Sequence, residues 1–268
     1  MARLRALFID LSGTLHVDAT ATPGAKGALE RLRQAGIVLS FVSNTSKESR
    51  SSLLDKMHKM ELDVREEELF TSLSAVRDIV LRRNLKPLYL LSPSALADFP
   101  PSSAPFDSVV VGLAPTTFDY SHLNEAFRLL SGETESRGKK GQIPLIVTHK
   151  ARFFGDKDGK LSLGPGPFIS ALEEATGCQA EIVGKPSESF YQLALDSISS
   201  HGFERSEIGM IGDDVVQDVG SAVERLGLRR YLVKTGKYRP GDEDKLIDPS
   251  EVRVCENFAK AVETILSE

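Results

Sequence analysis

Leu7-Phe8-Ile9-Asp10-Leu11-Ser12-Gly13-Thr14 is an apolar run that stops at a carboxylate, with glycine and threonine close behind. Arg5 to Ile9 reads as a strand, which puts Asp10 at its carboxyl end. Gly24 to Ala35 follows as a helix and Ile37 to Val42 as a second strand, so the opening is a βαβ unit of a parallel sheet. Asn44-Thr45-Ser46-Lys47-Glu48 comes next, with Thr45 and Glu48 at capping-box spacing before the helical period of Leu53, Leu54, Met57 and Met60.

The same pattern resumes late in the chain. Glu207 to Ile211 reads as a strand, Gly212-Asp213-Asp214 as a turn, Asp218 to Leu226 as a helix and Arg230 to Val233 as a further strand. Between these halves lie strand-like Pro87 to Leu91, Ser108 to Val111 and Pro144 to Thr148, with helices at Leu73 to Arg83, His122 to Leu130 and Phe168 to Ala175. Arg152 to Leu161 has the pattern of a hairpin turning at Asp158-Gly159. Polar, glycine-containing Ser131 to Gln142 reads as a mobile loop. The expected architecture is α/β: a Rossmann-like parallel-sheet core with helices on both faces, formed by residues 1–69 and 180–268, and a smaller α/β unit inserted at 70–179.

Composition narrows the function. The chain has 268 residues, 41% of them hydrophobic, enough for a sizeable core. Its net charge of −5 speaks against nucleic acid and anionic membrane as partners, so an anionic ligand must be met by a local cluster. No apolar run approaches the ~20 residues of a membrane span, and Arg3 and Arg5 are not followed by a signal-peptide core. Cys178 and Cys255 lie far apart with no CxxC, so a disulfide framework is not indicated. A cytoplasmic protein is expected.

Ligands of an open parallel sheet bind beyond the carboxyl ends of its strands. Asp10, Ser43-Asn44 and Asp213-Asp214 all fall at such ends, and Asp218 follows shortly after. Carboxylates gathered there repel one another unless a cation shares them, and hard oxygen ligands suit Mg²⁺. Lys185, in Gly184-Lys185-Pro186, adds a fixed positive charge. A carboxylate, a divalent cation, a lysine, a hydroxyl and a helix N-terminus are the parts of a phosphoryl-transfer site.

Taken together and in this order, Asp10-Leu11-Ser12-Gly13-Thr14, Ser43-Asn44, Lys185 and Gly212-Asp213-Asp214-x-x-x-Asp218 resemble the four motifs of the haloacid dehalogenase superfamily. The middle segment, with Gly164-Pro165-Gly166-Pro167 and Gly184-Lys185-Pro186-Ser187, is similar to the C2-type cap of the 4-nitrophenylphosphatase-like branch. The resemblance implies that Asp10 is the nucleophile and that Ser43, Asn44 and Lys185 hold phosphate oxygens. It further implies that Asp10, Asp213 and the Ser12 carbonyl bind Mg²⁺, with Asp214 or Asp218 supporting the ion. A small phosphorylated substrate and a homodimer formed through the cap belong to the same expectation.

Ser12 departs from the wider pattern, where a second Asp protonates the leaving group and later activates water. Such assistance is typically worth ~10²–10⁴ in rate, and a serine hydroxyl replaces it poorly. The site then works slowly, or acts on leaving groups that need little help, such as those of phosphoramidates and pyrophosphate, or binds phosphate as a scaffold without efficient turnover. His16 stands near the nucleophile loop as a substitute acid, against the commoner structural role of a lone histidine beside a turn.

Overall fold

The computed structural model describes residues 3–135, 142–155, 160–246 and 248–268. Contacts divide the chain into two compact units, one of Met1–Ser43, Leu53–Phe70 and Lys185–Glu268, the other of Asn44–Ser52 and Thr71–Gly184. The second unit thus ends five residues beyond the boundary expected at 179 and also takes in Asn44–Ser52.

The sheet of the first unit runs Val252–Cys255, Arg229–Val233, Ile208–Gly212, Ala6–Asp10, Val38–Ser43, Leu69–Thr71. Its first five strands pair in parallel, with Ala6–Asp10 flanked by Ile208–Gly212 and Val38–Ser43. Both faces are covered. Leu7, Ile9, Leu39, Phe41, Ile211, Tyr231 and Val233 pack with Leu29 and Leu32 of the helix Ala25–Gln34 and with Phe258 and Val262 of the helix Phe258–Ser267. Leu232, pointing the other way along its strand, packs with Val215, Val219 and Val252. Two-sided burial explains why the central strands are apolar runs and why Ala6–Asp10 is buried at all five residues.

The sheet of the second unit has four parallel strands in the order Ala180–Ile182, Leu145–Val147, Ser108–Val111, Pro87–Leu90. Val109, Val111, Leu145 and Val147 bury one face against Ala126, Leu129 and Leu130 of Tyr120–Ser131 and Ile169 and Leu172 of Gly166–Thr176. Phe153–Gly155 and Leu161–Leu163 pair antiparallel, as a hairpin requires, whereas the expected Asp158-Gly159 turn lies outside the described residues. Residues 136–141 of the expected 131–142 loop also lie outside them.

Two local expectations are corrected. The helix after Asn44 starts at Arg50, so Thr45 and Glu48 lie ahead of it rather than in its first turn; Ser49 Oγ accepts from the Ser52 N–H at 3.2 Å. The late helix covers only Ser221–Arg225, which leaves Asp218 in the loop before it. That loop is held by side chains: Asp214 Oδ1 accepts from Val216 N and Gln217 N at 3.0 Å each, and the Tyr191 hydroxyl donates to the Gln217 carbonyl at 2.5 Å.

Candidate active site

Asp10 ends its strand, and Asp213 comes one residue after the neighbouring strand Ile208–Gly212. The turn that follows brings Asp218 back to them, and ligand oxygens of Asp10, Asp213 and Asp218 lie within 4.8 Å of one another. All three residues are buried. Lys185 Nζ donates to Asp10 Oδ1 and Asp218 Oδ1, both at 2.6 Å, and to the Val42 carbonyl at 3.2 Å. The other oxygen of Asp10 accepts from the Thr14 hydroxyl at 3.3 Å, and that of Asp218 from the Asp214 N–H at 3.1 Å.

Glycines make room for these carboxylates. A Cβ on Gly13 would stand 2.0 Å from Asp213 Oδ2, and one on Gly236 2.1 Å from the same atom. Both glycines have positive φ, +96° and +55°, so neither position suits another residue. A Cβ on Gly212 would meet that of Asp218 at 2.3 Å.

The charges do not balance. Asp10, Asp213, Asp214 and Asp218 face two ammonium groups, those of Lys185 and Lys237, and two negative charges remain uncompensated when all six groups are ionised. Burial, followed by the charges of Asp10 and Asp218, therefore pushes the Asp213 carboxyl well above the usual range. Burial also raises Asp218, against the opposing pull of Lys185. Burial alone would lower the Lys185 ammonium, but Asp10 and Asp218 outweigh it and hold the group charged. Asp213 Oδ1 is buried without a hydrogen-bond partner, while Oδ2 accepts from Lys237 N at 2.6 Å. An orphaned carboxylate oxygen beside two other carboxylates is the donor set a divalent cation fits.

The expected residues divide as follows. Asp10, Asp213, Asp218 and Lys185 come together in the first unit. Ser43 is buried at the end of its strand, one residue past Val42, which is paired in register with Asp10. Ser12 is exposed at the start of the turn that carries Gly13 and Thr14. Asn44 begins the second unit. Of the two carboxylates expected in support, Asp218 belongs to the buried triad itself, while Asp214 caps its own loop and pairs with Lys237 Nζ at 3.3 Å. His16 donates from Nδ1 to the Asp18 carbonyl at 2.9 Å; burial, then Lys56, pushes its pKa down, so it stays neutral near pH 7. That makes it a poor proton donor.

Sequence reasoning passed over Thr235-Gly236-Lys237, which closes the cluster through Thr235 Oγ1 on the Gly13 carbonyl and Lys237 N on Asp213. The signal was positional. This loop directly follows Arg229–Val233, the strand beside Ile208–Gly212, and so lies at the same carboxyl edge.

The chain that gathers these carboxylates and a buried lysine at one edge of a parallel sheet belongs to the haloacid dehalogenase-like hydrolases. A haloacid dehalogenase-like hydrolase model matches residues 7–99, and a HAD-hydrolase-like model matches residues 182–261. Haloacid dehalogenase-like hydrolase domain-containing protein 2 of Bos taurus is 48% identical over 265 residues, 98% of this chain and 96% of its own length. Phospholysine phosphohistidine inorganic pyrophosphate phosphatase of Homo sapiens is 34% identical over 275 residues, covering 99% and 96%. Among solved structures, 4-nitrophenylphosphatase of Thermotoga maritima superposes with a TM-score of 0.84 at 23% identity, covering 98% of this chain and 97% of that one. The p-nitrophenyl phosphatase of Archaeoglobus fulgidus gives 0.83 at 25% identity, covering 98% and 100%. These likenesses span both units. Among the described residues no helix is long and apolar enough to cross a membrane.

Proposed function

We propose that this chain is a Mg²⁺-dependent phosphatase that transfers a phosphoryl group to Asp10 and then to water, acting on small phosphorylated compounds whose leaving groups need no general acid. The observation that carries this reading is the Asp10 carboxylate, buried at a strand end with Lys185 Nζ at 2.6 Å on one oxygen and Thr14 on the other. Those two contacts fix the direction from which Asp10 presents itself to phosphorus. Lys185 pairs with Asp10, the group assigned as nucleophile, and joins it to Asp218.

Asp10, Asp213 and Asp218 would hold the Mg²⁺, with the Ser12 carbonyl as a further oxygen ligand. The ion supplies charge neutralisation for the transferring phosphoryl group. Ser43 and Asn44 are assigned to the phosphate oxygens, while Lys185, with its three N–H groups on Asp10, Asp218 and the Val42 carbonyl, orients the nucleophile. In the first step a carboxylate oxygen of Asp10 bonds to phosphorus, the bond to the leaving group breaks, and the leaving group keeps its electron pair. In the second, water attacks the phosphorus, inorganic phosphate departs, and the carboxylate is restored.

Ser12 decides the substrate class. With a hydroxyl where the family carries its acid, and with His16 neutral and bonded to its own turn, alkoxide leaving groups receive little protonic help. Phosphoramidates, protonated on nitrogen before cleavage, and pyrophosphate, which departs as phosphate, avoid that requirement. The kinship with a phospholysine, phosphohistidine and pyrophosphate phosphatase supports the same choice. A screen of alkyl and aryl phosphoesters, phosphoramidates and pyrophosphate with Mg²⁺ tests it, since release of phosphate from none of them removes the assignment.

A further inference from the structure

The two lysines of the acidic cluster differ in what they can still bind. Lys185 gives its three N–H groups to Asp10, Asp218 and the Val42 carbonyl, and its side chain is only 3% exposed. Lys237 begins from a fixed point, its backbone N–H on Asp213 Oδ2 at 2.6 Å. Its ammonium reaches Asp214 Oδ2 at 3.3 Å, with the side chain 60% exposed. An ammonium has three donors, and this contact uses one.

We infer that Lys237 determines specificity by binding an anionic leaving group, and that the substrates it selects are diphosphates whose second phosphoryl group sits against its ammonium. The inference rests on the phosphatase reading and narrows its substrate class. When Asp10 attacks one phosphorus of a diphosphate, the bridging P–O bond breaks and its electron pair stays on the bridging oxygen. The departing phosphate gains one negative charge, and no proton is needed in that step. A cation facing that oxygen stabilises the charge as it develops, which is the electrostatic alternative to the acid that Ser12 does not supply.

The sign of the charge separates the candidates. An amine leaving from a phosphoramidate is neutral or cationic and gains nothing from a neighbouring ammonium. A phosphate anion gains a charge-assisted hydrogen bond. Lys237 therefore favours diphosphates over phosphoramidates within the class that Ser12 allows.

Binding tests this independently of turnover. Methylenediphosphonate, which cannot be cleaved at its P–C–P bridge, and inorganic phosphate are titrated calorimetrically with saturating Mg²⁺ into wild type, Lys237→Met and Lys237→Arg. Lys237→Met keeps the backbone donor on Asp213. It is expected to weaken methylenediphosphonate about tenfold or more, as for a lost charged hydrogen bond, and phosphate by less than about threefold. Lys237→Arg is expected to restore the diphosphonate affinity. An equal loss for both ligands would show a structural role and overturn the inference, as would no loss or no rescue by arginine. A wild type that shows the expected binding pattern but releases no phosphate from any substrate would overturn the phosphatase reading and leave diphosphate recognition standing.

Discussion

Lys185 Nζ sits 2.6 Å from Asp10 and the same distance from Asp218, so one buried cation is shared by a carboxylate at a strand end and one in the loop before Ser221–Arg225. Removing one partner of a buried ion pair leaves the others uncompensated, and such changes cost about 3–5 kcal/mol. Lys185→Met should lose roughly that much stability in metal-free urea denaturation. The double variant with Asp218→Asn should lose less than Lys185→Met alone, because one stranded charge goes with the lysine.

Asp213 sets a pH dependence. Its folded-state pKa is raised, first by burial and then by Asp10 and Asp218, so the folded metal-free protein binds this proton more tightly than the unfolded chain. The stabilising contribution is full below the ordinary carboxylate pKa of about 4 and is lost as pH rises toward the raised value. Metal-free Asp213→Asn, which cannot ionise, should therefore gain stability relative to wild type as pH rises from about 5 to 8. Added Mg²⁺ should reverse that order, and thermal unfolding with and without the ion reads both effects.

Gly236→Ala tests the close packing around the same carboxylate. Its Cβ would fall 2.1 Å from Asp213 Oδ2 and 2.5 Å from the Gly13 Cα, at a φ of +55°. Strain of this kind costs about 1–3 kcal/mol, and the displaced carboxylate should weaken Mg²⁺ binding roughly tenfold or more. The Mg²⁺ dependence of the melting temperature measures it; an unchanged dependence would mean that Asp213 is not a ligand.

Much of this was legible in the sequence because strands buried on both faces are written as apolar runs. Asp10 and Asp213 end two such runs, so their place at one sheet edge followed from the pattern alone. Asp218 was harder. A helix starting at that residue would have carried its side chain away along the helix, whereas the Asp214-capped turn folds it back onto Lys185. Thr45 and Glu48 matched a capping box by spacing, yet the helix waits until Arg50 because Asn44–Ser52 packs with the second unit: Ser92 Oγ donates to the Lys47 carbonyl at 2.7 Å, and Arg50 N to Asp98 Oδ2 at 2.7 Å. Contacts between distant segments leave no periodic trace. Gly236 and Lys237 were missed for the same reason, lying in a loop without periodicity.

Ser12 should appear in kinetics as a steep dependence on the leaving group. Aryl phosphates and pyrophosphate should be cleaved faster than alkyl phosphoesters by a margin of the order of 10²–10⁴, the typical worth of a missing general acid. Ser12→Asp should narrow that margin by raising the alkyl esters. A flat dependence with chemistry rate-limiting would mean that another group delivers the proton.

The central claim is that Asp10 carries the phosphoryl group, and acid-quenched turnover followed by mass spectrometry of the digested protein addresses it most directly. With Mg²⁺ and the best substrate, wild type should show one phosphoryl group on the peptide containing Asp10. Asp10→Asn, which keeps the size of the side chain, should show neither the adduct nor phosphate release above the uncatalysed rate. Phosphate release by Asp10→Asn at the wild-type rate, or an adduct on any other residue, would contradict the account.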